Sequence, residues 1–228
     1  MSDLHERFRQ VRKRIADAEK RFNRVPNSVR LVAVTKTWPL DVVRAAAQCG
    51  QCDFGENYVQ EGVEKIRELS DPILSWHFIG RLQSNKAKDV AEHFSWVHSV
   101  TRLEHAQRLA RFRTALRTPL NVCIQINISM DARKAGIAPA HASALANSIA
   151  ALPNLHLRGL MALPEMETDF SRQRNAFSQV RDLFDQLCAE GLSLDTLSMG
   201  MSGDLEAAIA EGATLVRVGT ALFGTRIT

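Results

Sequence analysis

A closed α/β barrel of eight parallel strands is predicted, and three observations predict it. Short β-branched or apolar runs alternate with longer amphipathic stretches along the whole chain, which is the βα repeat of a parallel sheet. Eight such runs are present, where a doubly wound open sheet usually has about five or six. No G-x-G-x-x-G follows the first run, so the fingerprint of the dinucleotide-binding open sheet is missing. The 228 residues lie at the low end for such a barrel. No linker or low-complexity segment divides them, so one domain over residues 1–228 is expected.

The chain opens with Leu4, Phe8, Val11, Ile15, Ala18 and Phe22, spaced 4-3-4-3-4, a single helical stripe backed by charge. It precedes any strand and reads as an extra N-terminal helix. The first strand is the buried run 31–34, ended by Thr35-Lys36-Thr37 and by Pro39, a favoured first helical residue. The second lies at 52–54 before Gly55, the third at 76–79 before Gly80, and the fourth at 96–100. The fifth, 121–128, reads as the longest; 157–161, 196–199 and 215–218 complete the eight. Helical patterns fill the intervals at 40–49, 57–69, 85–94, 103–116, 139–152, 170–190 and 204–210.

Composition narrows the function. Hydrophobic residues make up 45% and charged residues 24%, the balance of a protein with a real core. No apolar run approaches the ~18 residues of a membrane helix. The first ten residues carry Asp3, Glu6, Arg7 and Arg9 instead of a signal-peptide core, so a cytoplasmic protein without membrane contact is expected. The net charge of +4 suits anionic small molecules such as phosphates. Basic residues do not cluster with aromatics, and no nucleic-acid partner is expected. Cys49 and Cys52 spell C-x-x-C but follow Ala45-Ala46-Ala47-Gln48, at a helix C-terminus with Gly50 as the left-handed cap. A redox pair needs a helix N-terminus and zinc needs two more ligands, so this pair reads as structural and no metal is expected.

Chemistry in such barrels sits at the C-terminal strand ends, often with phosphate on the loops after strands seven and eight. Those ends carry Lys36, Asn57, His77, Asn127, Met161, the run from Ser198 to Ser202, and Arg217-Val218-Gly219-Thr220. An ammonium is costly to remove from water, and the neutral amine that replaces it is a nucleophile toward carbonyls. Lys36 fits that role, or else snorkels its charge to solvent. Ser202 either caps the following helix, with Asp204 and Glu206 complementing its dipole, or joins free N–H groups in an anion site. Gly219 and Thr220 supply further donors to the same place. Arg217 sits in an apolar strand and either pairs outward or donates to something electron-rich in a pocket. Asn57 with Gln60 resembles a capping box. His77, between Trp76 and Phe78, reads as a core residue or as part of the pocket.

Five segments taken together carry a resemblance: Val34-Thr35-Lys36-Thr37, Phe54-Gly55-Glu56-Asn57-Tyr58-Val59-Gln60-Glu61, the stretch from Trp76 to Lys86 (WHFIGRLQSNK), Ser198-Met199-Gly200-Met201-Ser202, and Val216-Arg217-Val218-Gly219-Thr220. They resemble the pyridoxal phosphate homeostasis proteins (the YggS/PROSC family) over essentially the whole chain. The resemblance implies a fold-type III barrel related to the N-terminal domain of alanine racemase, with pyridoxal 5′-phosphate (PLP) as a Schiff base on Lys36. It further implies Ser202, Gly219 and Thr220 on the phosphate, Arg217 at the pyridine nitrogen, and Asn57 and Met199 lining the ring pocket; His77 is counted with them as an expected cofactor-binding residue. The implied role is intracellular PLP homeostasis without assigned turnover, by a monomer that buffers the cofactor or delivers it to apo PLP-dependent enzymes. Met161-Ala162-Leu163-Pro164 departs from the family pattern only by Leu163 for isoleucine.

The competing reading is a PLP-dependent racemase or decarboxylase. Arginine stays protonated and donates to the pyridine nitrogen, which keeps that nitrogen unprotonated and weakens the ring as an electron sink. Racemisation also needs an acid/base group on each face, and the only tyrosine is Tyr58, beside the barrel. The residues therefore favour a cofactor-holding protein over an enzyme.

Overall fold

The computed structural model describes residues 2–114, 118–129, 131 and 134–225. Its first element is the helix α1 (Ser2–Arg21), whose predicted stripe buries Phe8, Val11, Ile15 and Ala18 while Leu4 and Phe22 pack at its ends. There follow β1 (Arg30–Val34), α2 (Leu40–Gln48), β2 (Asp53–Glu56), α3 (Val59–Leu69), β3 (Ser75–Phe78), α4 (Ala87–His93), β4 (Trp96–Val100) and α5 (Leu103–Phe112). The second half runs β5 (Leu120–Ile126), α6 (Ala142–Ala150), β6 (Leu155–Ala162), α7 (Phe170–Ala189), β7 (Thr196–Ser198), α8 (Leu205–Ala210), β8 (Leu215–Val218) and α9 (Thr220–Phe223). All eight strands pair in parallel and in chain order, and β8 closes on β1 through Val32 opposite Arg217 and Ala33 opposite Val218.

Alternation along each strand divides the apolar residues into two layers. Leu31, Ala33, Val97, Val122, Ile124, Leu160, Val216 and Val218 face the helices in one continuous cluster. Val32, Trp96, Cys123, Met161 and Leu215 form a separate cluster inside the barrel. The interior is thus filled by side chains, as the small diameter of an eight-stranded barrel requires. Burial pushes the Cys123 thiol up to about 12, as expected for a sulfur with no water around it.

Several expectations are corrected. β6, with 8 residues, exceeds the 7 of β5, because β6 continues past a register shift opposite Val122 and Cys123. The helices expected from 85 and 139 begin as 3-10 turns, at Ser84–Lys86 and Pro139–His141. The last residues of the 103–116 pattern lie outside the described residues. The C-x-x-C reading agrees with the geometry: Cys49 is the C-cap of α2 and Gly50 is left-handed at φ 75°.

Candidate functional site

The turn after β1 is built to present Lys36. Thr35 N–H donates to Gly55 O at 3.0 Å, extending the β1–β2 ladder by one residue, and Trp38 N–H returns to Thr35 O at 3.0 Å. Thr37 takes φ 61°, a left-handed conformation that a β-branched residue rarely adopts. Lys36, half-buried, lines a cavity of about 330 Å³ together with Val34, Trp38, Gly219, Thr220, Gly224 and Thr225. The first and the last strand therefore deliver an amine and a phosphate-type loop to one space, across the β8–β1 seam.

Gly219 precedes α9, and its N–H and that of Thr220 form no hydrogen bond among the described residues. The next N–H, on Ala221, donates to Ser202 Oγ at 3.2 Å. The capping reading of Ser202 is corrected: Asp204 stands at the cap of α8, Ser202 lies two residues earlier, and its hydroxyl ties the β7 loop to the β8 loop. Asp204 accepts from Met201 N–H at 2.6 Å instead of serving the helix end. From outside, Arg14 of α1 donates to Ser202 O at 3.1 Å and pairs with Glu206 at 2.7 Å. The extra N-terminal helix thus fastens this loop.

Asn57 is half-buried at the end of β2 and its Oδ1 is buried without a partner among the described residues. It caps nothing, because α3 begins at Val59 behind Tyr58. The carbonyl of Asn57 packs hard against Gly80, where an added Cβ would sit 2.0 Å from it.

Arg217 points into the barrel, not outward. It is 4% exposed, donates through Nη1 to Ser198 Oγ at 2.6 Å and through Nη2 to Ala162 O at 2.9 Å, and forms no ion pair among the described residues. Its Nε makes no hydrogen bond among the described residues. Burial lowers its pKa to about 10, still well above neutrality. Behind it, Ser198 Oγ lies 2.7 Å from His98 Nδ1, His98 Nε2 lies 2.9 Å from His77 Nδ1, and His77 Nε2 lies 2.9 Å from Asp53 Oδ1. Burial holds both imidazoles below the ordinary histidine range, His98 well below. With both rings neutral, the bond directions are forced, since Arg217 can only donate and ionised Asp53 can only accept. Ser198 then donates to His98, His98 to His77, and His77 to Asp53, whose pKa stays low because His77 and Arg30 outweigh its burial.

Of the expected site residues, Lys36, Gly219 and Thr220 line the cavity itself, Asn57, Ser202 and Arg217 lie outside its lining, and His77 and Met199 are fully buried. His77 is fully buried mid-barrel, stacked on Trp96 with ring centroids 5.4 Å apart, and reaches the mouth only through His98, Ser198 and Arg217. Met199 is fully buried in the outer layer because it follows inward-facing Ser198. Asn127 supports the β5 loop through Asp131 O at 2.8 Å, and Met161 packs inside the barrel. Sequence reasoning placed Ser198 at a strand end but missed His98 and Asp53, although a polar residue inside an apolar strand is itself a signal. It also gave no role to Glu56 at the end of β2, or to Glu61 and Lys65, whose i,i+4 spacing on α3 is that of an ordinary helix pair.

At the floor, Arg30 pairs with Asp53, and Arg158 pairs with Asp195 at 2.5 Å. The two guanidinium groups lie 5.9 and 4.9 Å from the Trp96 ring and close the barrel away from the cavity.

The class follows from this architecture: residues 7–227 match the family model described as alanine racemase, N-terminal domain. A Clostridium difficile alanine racemase shares the fold at TM-score 0.78 and 16% identity, covering 100% of this chain and 58% of the racemase. Closer relatives are the pyridoxal phosphate homeostasis proteins of Pseudomonas aeruginosa, 54% identical over 99% of this chain and 97% of that protein, and of Escherichia coli K12, 50% identical over 99% and 98%. PipY of Synechococcus elongatus, solved with PLP bound, superposes at TM-score 0.85 with 40% identity, covering 97% of this chain and 100% of that one. The chain belongs to the pyridoxal phosphate homeostasis protein family.

Proposed function

We propose that this chain, acting as one domain, binds PLP through a Schiff base on Lys36 and serves cofactor homeostasis without turning over a substrate of its own. The observation that carries the reading is the shared cavity of Lys36, Gly219 and Thr220. When bound, the cofactor supplies an electrophilic aldehyde and an electron-accepting pyridine ring. The residues suit such a group. The N–H groups of Gly219 and Thr220, with Ser202 joining the two loops, offer donors to a phosphate. The Oδ1 of Asn57 and the Nε of Arg217, without hydrogen-bond partners among the described residues, are left for a ring and its nitrogen. His77 and Met199 support this set from behind. A protonated Arg217 leaves the ring nitrogen unprotonated, which favours holding the cofactor over carbanion chemistry.

Purified protein is expected to absorb in the visible with PLP and to gain one reduced pyridoxyl group per chain with borohydride. Lys36→Ala should abolish both, and an unchanged spectrum in that variant would move the attachment to another lysine. Racemisation or decarboxylation is the competing activity. Tyr58, which is 57% exposed beside α3, is poorly placed to serve as a second base. Rapid exchange of an amino acid's α-proton, followed by NMR on the holo protein, would establish the enzyme instead. As a holder, the chain is proposed to work as a cytoplasmic monomer that passes PLP to apo enzymes. Light scattering tests the first point, and reactivation of an apo enzyme faster than spontaneous PLP release tests the second.

A further inference from the structure

Beside Lys36 lies a buried charge cluster with no part in the contacts proposed for PLP. Lys65 of α3, itself 5% exposed, uses its three N–H bonds on Glu61 Oε1 at 2.7 Å, Glu56 Oε1 at 2.8 Å and the carbonyl of Thr35 at 2.8 Å. Glu56 Oε1 also accepts from Thr35 Oγ1 at 2.6 Å, and Glu61 Oε1 from Thr37 N–H at 2.5 Å. These bonds of the cluster to the β1 turn fall on the residue before Lys36 and the residue after it. A solvated pair on a helix would not be built this way. Burying an ammonium and a carboxylate is expensive; each donor of Lys65 is satisfied, while Glu56 Oε2 is buried without a partner among the described residues. The cluster also grips Thr37, whose left-handed backbone is strained for a β-branched side chain.

We propose that Glu56, Glu61 and Lys65 are positioning residues that brace the β1 turn and set how readily the Lys36 amine attacks an aldehyde held by the β7 and β8 loops. The inference rests on the assignment of PLP to Lys36. In the step concerned, the Lys36 nitrogen adds to the aldehyde carbon, C=N replaces C=O and one water leaves, so no oxidant or reductant is needed. The phosphate donors belong to loops that the cluster does not touch. Loss of the brace should thus impair covalent attachment while sparing non-covalent retention. Misplacing a reacting group by about an ångström slows attack by up to roughly a hundredfold.

The test titrates the full-length apo protein with PLP and follows two quantities. One is total bound cofactor, by equilibrium dialysis. The other is the rate and extent of covalent attachment, by stopped-flow absorbance and by protein mass after borohydride. Glu61→Ala should slow attachment by about tenfold or more and lower the trapped fraction, with total binding changed less than about twofold. Glu61→Gln, whose amide oxygen still accepts from Thr37 N–H and Lys65, should recover most of the rate. Lys65→Met leaves Glu56 unpaired, so its thermal midpoint is measured alongside; Glu61, partly exposed, gives the variant that folds if Lys65→Met does not. Attachment at the wild-type rate in Glu61→Ala, or a fall in parallel with total binding, would overturn the brace. Persistent trapping in Lys36→Ala would instead overturn the choice of lysine, so the two failures are distinguishable.

Discussion

Arg217 shows how a single residue can be held for function by groups far from it in sequence. Its guanidinium is buried, the hydroxyl it binds leads through two neutral imidazoles to Asp53 at the opposite end of the barrel, and Asp204 is the carboxylate that favours its charge. Ser198→Ala should leave a guanidinium N–H buried without an acceptor. The expected loss is about 1.5–3 kcal/mol, read from the urea midpoint of the apo protein, with weaker PLP binding alongside. The cysteines give a second check at this scale. Cys52 is exposed, whereas Cys123 sits in the interior with its thiol pushed up to about 12. A thiol reagent should modify Cys52 in the native protein and reach Cys123 only on unfolding. Strand position marked Lys36 as a candidate, with a nucleophilic amine and a solvent-directed charge both open. The residues around it could not be marked this way, because Glu56, Glu61 and Lys65 meet the β1 turn across 21 to 30 residues of chain.

Elements were legible where burial is periodic and obscure where a tertiary partner decides. The stripe of α1 is visible because each of its apolar residues meets the same packed face. α9 escaped because four residues carry no period; Gly219 and Gly224 bound it, and Phe223 anchors it against Phe8 and Trp38 with centroids 6.1 and 5.7 Å apart. The cap stayed open as one of two readings of Ser202 because its local preference is genuine, yet Ala221 N–H takes the hydroxyl instead. Close strand approach adds two predictions. In β6, Gly159 takes φ 153°, and an added Cβ would lie 1.9 Å from Thr196 O of β7. Gly159→Ala should therefore cost about 3 kcal/mol or more in denaturant unfolding, since neither the conformation nor the contact can relax cheaply. Gly80→Ala meets Asn57 O at 2.0 Å, so it should displace Asn57 and weaken PLP affinity about tenfold or more, measured by dialysis.

At the scale of the whole molecule, the buried relay makes stability depend on pH. His77 and His98 have folded pKa values below the ordinary histidine value, so the unfolded chain takes up protons first on acidification. Their contribution is complete above about pH 6.5 and erodes below it, by about 1.4 kcal/mol per pH unit for each ring. Asp53, held low, adds stability present above about pH 4 and lost as pH falls further through its folded value. The unfolding midpoint should decline from pH 7 to pH 5, and His98→Gln should flatten that slope; an equal slope in the variant would show that the relay is not its source. What the sequence by itself determined is the barrel, its strand order, the place of Lys36 at the end of β1 and the β8 loop that shares its cavity. Those follow from alternating burial and from short βα connections, which are local. Only the tertiary structure decided how Arg217 is balanced, what braces the β1 turn, and that His77 and Met199 stand behind the cavity. These depend on which side chains from different strands and helices meet once the barrel closes, and side-chain spacing along one segment carries no record of that.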